Sequence, residues 1–227
     1  MAFTDRHGGV SRPPFASLNL GSASGDDLEA VERNMAAVAD AFGSQPERFV
    51  TGRQVHGATV VVVTEPPVPP PAADALVTTT ADVTLCVRAA DCVPVLLADP
   101  VAGVVGSVHA GRNGMHAGVV VAAVDQMADL GAQQVQAWVG PHICGACYEV
   151  PEAMRHEVSA RVPAAYSTTR WGTPGLDIGA GVRTQLAGLG CEVVDAGGCT
   201  YENADLFSYR REGPRSGRAA GLVRLLP

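Results

Sequence analysis

The segment "AADCVPVLLADPVAGVVGSVHAG", residues 89–111, constrains this chain more than any other. Two apolar runs flank Asp-Pro-Val-Ala, a turn signal, so the segment reads as a buried antiparallel hairpin. Its two far ends are unlike its middle. Asp91-Cys92 precedes the first run and His109 follows the second. A turn over residues 99–102 would pair Ala98 with Gly103, and paired positions in a hairpin keep a constant index sum, here 201. Cys92 and His109 also sum to 201. That register sets the thiol and the imidazole directly opposite on one face, with β-carbons roughly 4.5–5.5 Å apart. A bulge would undo this, since one extra residue flips the face.

A thiol beside an imidazole suits either a reactive pair or two ligands of one metal. Zinc and copper favour Cys and His, and three protein ligands with one open position describe a catalytic zinc site. His56 in "RQVHGATV" is the candidate third ligand, at a strand break where Gly57 permits close approach. A rival cluster lies in "HICGAC", where His142, Cys144 and Cys147 have metal-like spacing. A lone Cys-x-x-Cys is the weaker signal, because a structural zinc needs four ligands. His116 and His156 fall in helical stretches and read as surface or packing residues. His7 sits in a turn-rich N-terminal segment.

Around the hairpin, helical and strand patterns mix without strict alternation. Leu28, Val31, Met35, Val38 and Phe42 recur at helical spacing, with Asp26 to cap and Gly43 to stop. "RFVTGRQVHGATVVVVTE" reads as two strands around the His-Gly break. A second helix is expected over 114–130, a third from Pro151, and a fourth from about Asp177. "VQAWVG" and the tail add strands, and "PPVPPPAA" is too short for an interdomain linker. No internal repeat is evident. The pattern predicts one α+β layered domain over 1–227, with mixed β-sheets flanked by helices.

Composition excludes several classes. Of 227 residues, 47% are hydrophobic and 17% charged, which supports a core and argues against disorder. The net charge of −7 argues against bulk electrostatic binding of nucleic acid, while leaving room for a local anion site. No apolar run reaches the length of a membrane span, and no basic segment with an apolar follow-on opens the chain. The expectation is a cytoplasmic protein without nucleic-acid or membrane partners. Its six cysteines would stay reduced there, most of them as small buried hydrophobes.

The ordered set "GGVSRPPFASLNLGSASGDDLEAVERN", "RQVHG", "ADALVT", "ADCVPVLLAD", "VHAG", "GPHICGACYEV" and "FSYRREGPRSGRAAGLV" resembles the laccase-domain, YfiH-like family. Members are described as multicopper polyphenol oxidases, as purine nucleoside phosphorylases, and in some cases as amidases that edit peptidoglycan precursors. The resemblance covers nearly the whole chain. It implies an α+β fold, a metal held by His56, Cys92 and His109, and action on purine nucleosides: phosphorolysis of adenosine, inosine, guanosine and methylthioadenosine, and deamination of adenosine. A polyphenol oxidase (laccase) fits poorly, because several coppers need more histidines than the six present. Two motifs depart from the family. "HAGRNG" has Arg112 where Trp is usual and Asn113 where Arg is usual, and Met35 replaces an Arg.

These considerations assign candidate roles. Cys92, His56 and His109 form the catalytic and metal centre, with zinc as cofactor and copper as the alternative. Arg53, Arg112, Arg210 or Arg211 could hold phosphate, since the guanidinium fork suits that anion. Asn19 and Gln54 could hydrogen-bond a ribose or base, although a turn role for Asn19 is the plainer alternative. Asp91 could shuttle protons, but a regular strand would point it away from Cys92. The expected partners are a purine nucleoside and phosphate, and the expected state is a monomer or homodimer. Two other readings remain: an amidase with Cys92 as nucleophile and His109 as base, and a non-enzymatic metal binder.

Overall fold

The hairpin's two apolar runs become the central strands on which the other layers rest. The computed structural model describes residues 1–67, 69–81 and 83–226. Its strands are β1 (Ala2–Phe3), β2 (Phe49–Thr51), β3 (Val60–Val62), β4 (Ala75–Thr78), β5 (Thr84–Ala89) and β6 (Val93–Asp99). They continue with β7 (Val104–Ala110), β8 (Gln136–Val139), β9 (Tyr166–Thr168), β10 (Pro174–Leu176), β11 (Glu192–Asp195) and β12 (Ala219–Val223). The helices are α1 (Leu28–Ala41), α2 (Arg112–Ala117), α3 (Val119–Asp129), α4 (Glu152–Arg161), α5 (Ile178–Gly188) and α6 (Tyr209–Glu212).

Six strands form one sheet in the order β11-β8-β6-β7-β4-β3, and four form another in the order β1-β12-β5-β2. Both sheets are mixed: β3/β4, β8/β11 and β2/β5 are parallel pairs and the rest antiparallel. The expected α+β arrangement with mixed sheets and flanking helices is therefore the one that forms. Side chains alternate along a strand, and here both faces find a partner. Val93, Val95 and Leu97 face the helix side, with Val120 and Ala123 of α3 and Val182 and Leu186 of α5. Leu96 and Ala98 face the other sheet, against Leu85, Val87 and Val223. Burial on both faces explains why the runs are apolar throughout. On the outer face of the four-stranded sheet, Val38 of α1 packs with Leu20, Cys86 and Leu222. No helix among the described residues is long and apolar enough to cross a membrane.

Several boundaries differ from expectation for identifiable reasons. The cap of α1 is Asp27, whose side chain accepts from Glu29 N–H, while Asp26 accepts from the Asn19 side chain instead. The helix expected over 114–130 starts at Arg112 and is divided at Gly118, whose φ of +85° is left-handed and open to glycine. Strands β9, β10 and β11 are short and partly polar, and carry too little periodicity to be read.

The hairpin register is the main correction. Asp99 pairs with Val104 and Pro94 with His109, an index sum of 203 rather than 201. Asp99 is therefore the last strand residue, and the turn is residues 100–103. Its Oδ1 accepts from the N–H groups of Val101 and Ala102, at 3.0 and 2.9 Å. Its Oδ2 accepts from Gln133 and Gln134, at 2.7 and 2.8 Å. These four bonds hold Asp99 in the sheet and tie the turn to the loop after α3.

Candidate active site

The register shift leaves Cys92 and His109 together, because the sum changed by an even number. His109 shares a face with its partner Pro94, and Cys92 lies two residues before Pro94 on the same side. The two are diagonal neighbours rather than directly opposed. The position opposite Cys92 is Gly111, and it has to be small. A β-carbon there would lie 2.8 Å from His56 Cδ2 and 3.1 Å from Cys92 Sγ. The space a side chain would fill is taken by the thiol and the second imidazole. Cys92 Sγ and His56 Nε2 are 3.9 Å apart, and the His56 and His109 rings meet edge to face at 4.8 Å. One ligand atom from each of His56, Cys92 and His109 lies within 4.8 Å of the others.

Asp74, in β4's approach, organises this centre. It is buried and accepts four hydrogen bonds. His109 Nδ1 donates to its Oδ1 at 2.8 Å, and the N–H groups of Val55, His56 and Gly57 donate at 3.1, 2.9 and 2.8 Å. His56 has φ +62°, a left-handed conformation that costs a non-glycine residue roughly 1 kcal/mol or more. Three consecutive N–H groups converging on one carboxylate offset that cost. Burial works against the Asp74 carboxylate, but the bonds from His109, Gly57 and His56 prevail and hold its pKa below the ordinary value. One buried acid thus fixes both the His56 loop and the His109 ring, leaving His109 Nε2 toward the thiol.

Burial also raises the Cys92 thiol, yet hydrogen bonds and charge from His109 and His56 outweigh it and bring the pKa down to about 6. For His109, burial lowers the pKa while Asp74 and Cys92 raise it, to about 9. The pair favours thiolate beside imidazolium. A thiolate and two imidazoles, one of them oriented by a carboxylate, are a donor set that fits zinc or copper. Among the described residues, His56 and His109 are the histidines that converge. His142 is engaged with Gly140 O, His156 with Glu152, and His7 with Asp205.

The centre opens into a pocket of about 1080 Å³. Arg53, Arg88, Arg112, Arg210 and Arg218 line it, as do Tyr148 and Tyr209. Five arginines lining one cavity concentrate positive charge in an otherwise acidic protein. Arg112, at the start of α2, lies near Tyr148, and its charge opposes the burial that raises the phenol's pKa. Arg210 stacks over Tyr148 at 4.9 Å and donates to Glu149 O at 2.8 Å. Asn113 is exposed and does not line the cavity.

The other candidates divide. Arg53 lines the pocket, and so does Gln54, whose amide bonds both backbone groups of Arg88 at 2.7 and 3.0 Å. Asp91 lines it too, with φ +85°, but its carboxylate accepts from Thr200 Oγ1 and Arg210 N–H, each at 2.6 Å. Asn19 is fully buried behind the wall. It donates to Ser24 and Asp26 and accepts from Gly21 and Arg218 N–H, shaping the 19–26 turn whose residues 21–24 do line the pocket. Arg211 points elsewhere and ties the carbonyls of Thr200 and Tyr201. Sequence reasoning missed Asp74, Arg88, Arg218 and Tyr148. Asp74 had a signal, a carboxylate embedded in the apolar "AADALV", since acids are seldom buried without a task.

The pocket combines a His-Cys-His cluster with several arginines. The chain belongs to the family described as multi-copper polyphenol oxidoreductase laccase, which it matches over residues 1–226. It is 54% identical to a purine nucleoside phosphorylase of Streptomyces coelicolor, over 97% of this chain and 93% of that protein. It is 48% identical to a purine nucleoside phosphorylase of Corynebacterium glutamicum, over 97% and 92%. Among solved structures, the Bacillus licheniformis hypothetical protein YfiH superposes with a TM-score of 0.90 at 29% identity, covering 98% of this chain and 91% of that one. YlmD from Geobacillus stearothermophilus gives 0.89 at 31%, covering 99% and 91%.

Proposed function

We propose that this protein is a metal-dependent purine nucleoside phosphorylase that also deaminates adenosine, acting in the cytoplasm on small-molecule substrates. The observation that carries the reading is the shared cavity: five arginines and a His-Cys-His centre face one space large enough for a nucleoside and phosphate. The names of its relatives, purine nucleoside phosphorylase, support the phosphorolysis part of the reading.

In phosphorolysis a phosphate oxygen bonds to ribose C1′ as the C1′–N9 bond breaks, and the departing purine takes up a proton. The arginines hold the phosphate and, near neutral pH, keep it anionic and aimed at the sugar. Arg112 does so from the N-terminus of α2, in the place of the family's usual pair of Trp and Arg. Tyr148 and Tyr209 offer flat faces for the base. Tyr148, whose phenol burial keeps protonated and over whose ring Arg210 stacks, would donate to it. His56, Cys92 and His109 would hold zinc, or copper, which supplies Lewis-acid polarisation and an activated water for deamination.

A second reading draws support from one contact. Cys92, His109 and Asp74 are arranged as nucleophile, base and orienting acid, the last pair at 2.8 Å. That is the layout of a cysteine-dependent amidase, which needs no metal. Incubating the protein with adenosine, with and without phosphate, separates the readings. Adenine and ribose 1-phosphate formed only with phosphate, and inosine formed without it, are expected. Cys92→Ala should reduce both by about 10³-fold or more. Amide hydrolysis that survives chelation, with no nucleoside turnover, would replace the first reading by the second.

A further inference from the structure

Outside the pocket, a second group of ligating side chains converges, and the first centre does not use it. Cys144, Cys147, Cys199 and Glu202 each offer one atom, all within 4.8 Å of one another. We propose that these four residues bind a structural zinc ion that clips together two walls of the pocket.

The local geometry suits ligation of a metal by cysteine. Cys144 and Cys147 lie on one tight turn, in which Cys147 and Tyr148 N–H both donate to Cys144 O at 3.0 Å. Cys199 and Glu202 lie on a second turn, closed by Asn203 N–H on Cys199 O at 3.0 Å. The turns already touch: Cys144 N–H donates to Cys199 Sγ at 3.4 Å, and Cys144 Sγ lies 3.8 Å from Glu202 Oε2. Tetrahedral zinc–thiolate bonds of about 2.3 Å place sulfurs about 3.8 Å apart, so a contraction of roughly 1 Å completes the site. Three thiolates and a carboxylate fill all four positions, which is the closed coordination of a structural ion. They also leave two negative charges around a dication. Arg170 answers that charge, with Nη2 2.9 Å from Cys147 Sγ and an ion pair to Glu202. Hydrogen bonds from outside the ligand set orient ligands and tune the metal, and Arg170 is placed to supply them.

Packing alone does not account for the cluster. Free thiols serve as small hydrophobes when buried. Here Cys144 and Cys199 are only half-buried, Glu202 is exposed, and all the thiols are unbridged. The placement gives the ion a task. The first turn carries Ile143 and Tyr148, and the second leads to Tyr209 and Arg210, all of which line the pocket. Asp91 joins the same segments from inside, through Ile143 N–H on its carbonyl and Thr200 and Arg210 on its carboxylate. The zinc would join them from outside.

The test is metal content in protein whose first centre is removed. Cys92→Ala, purified without chelator, should retain about one zinc per chain, and adding Cys147→Ser should lose it. Cobalt(II) in Cys92→Ala should show thiolate charge-transfer absorption in the near ultraviolet, absent from the double variant. Glu202→Gln on the Cys92→Ala background keeps every thiol, so it guards against misfolding, and should lose zinc to a competing chelator at least tenfold more readily. Stripping zinc from Cys92→Ala should lower its Tm by several degrees. A folded Cys92→Ala protein with neither zinc nor a cobalt band would overturn the proposal. So would a disulfide among Cys144, Cys147 and Cys199 in the protein as purified, or unchanged zinc retention in the Glu202→Gln variant. None of these outcomes depends on whether nucleosides are turned over.

Discussion

Asp74 and Asp99 sit near opposite ends of the same hairpin and do nearly the same physical work. Each is buried and each accepts four hydrogen bonds. Each has a pKa below the ordinary carboxylate value, for Asp99 about 2. They differ in one partner. All four donors to Asp99 are backbone N–H groups, so its charge is spent on chain geometry. Asp74 gives one of its bonds to His109, whose other nitrogen faces the thiol and the pocket. A buried acid becomes part of a chemical site when one of its donors can itself react or bind. Otherwise it is a fold device of equal cost.

Replacing the acids separates the two roles. Asp74→Ala leaves three N–H groups and an imidazole unpaired and withdraws what holds His56 left-handed. Phosphorolysis should fall by about 10³-fold, with a stability loss of about 3 kcal/mol, seen in kinetics and urea unfolding. Asp74→Asn keeps the size and one acceptor, so stability should suffer less. It can no longer orient His109 by charge, and metal affinity or kcat/KM should drop about 10–100-fold. Equal loss of stability and activity in both variants would mean that Asp74 acts only through the fold. Gly111→Ala tests the same centre by volume: its β-carbon displaces His56 or Cys92, and activity should fall about 10-fold with little change in Tm.

The sequence showed these regions unevenly. The hairpin, its apolar strands and the convergence of His56, Cys92 and His109 were legible because residue type and spacing carry them. The register was not, because Asp99's bonds to Gln133 and Gln134 are tertiary and extend the strand past the apparent turn. The trio survived that error only because the shift was even and Gly111 left room. Asp74 went unassigned since its donors, residues 55–57 and 109, are distant in sequence. Arg88 and Arg218 went unassigned because they are 130 residues apart in sequence and meet only through the pairing of β5 with β12, which brings both to one cavity. Asn19 was visible as a turn residue and as a contact candidate, and the structure gives it the turn.

Asp99 supplies the smallest effects and the sharpest contrast. Asp99→Ala should cost about 2 kcal/mol, lowering Tm by roughly 4–8 °C, while kcat/KM at 25 °C stays unchanged. Four N–H groups lose their acceptor, but those of the exposed turn can turn to water. The pH dependence then identifies the charge. Asp99's folded pKa is about 2 against 3.8 for the free side chain. Its contribution is therefore complete above about pH 4 and disappears as the pH falls through about 2, because the folded state must then give up its carboxylate. Urea unfolding of the parent and Asp99→Ala proteins should differ by a constant amount from pH 7 to about 5, and converge between about 4 and 2. Asp74, also held below its ordinary value, remains in both proteins, so its own acid loss cancels from the difference. A gap that stays constant to pH 2 would mean that the turn uses Asp99's shape rather than its charge, and the likeness between the two acids would end there.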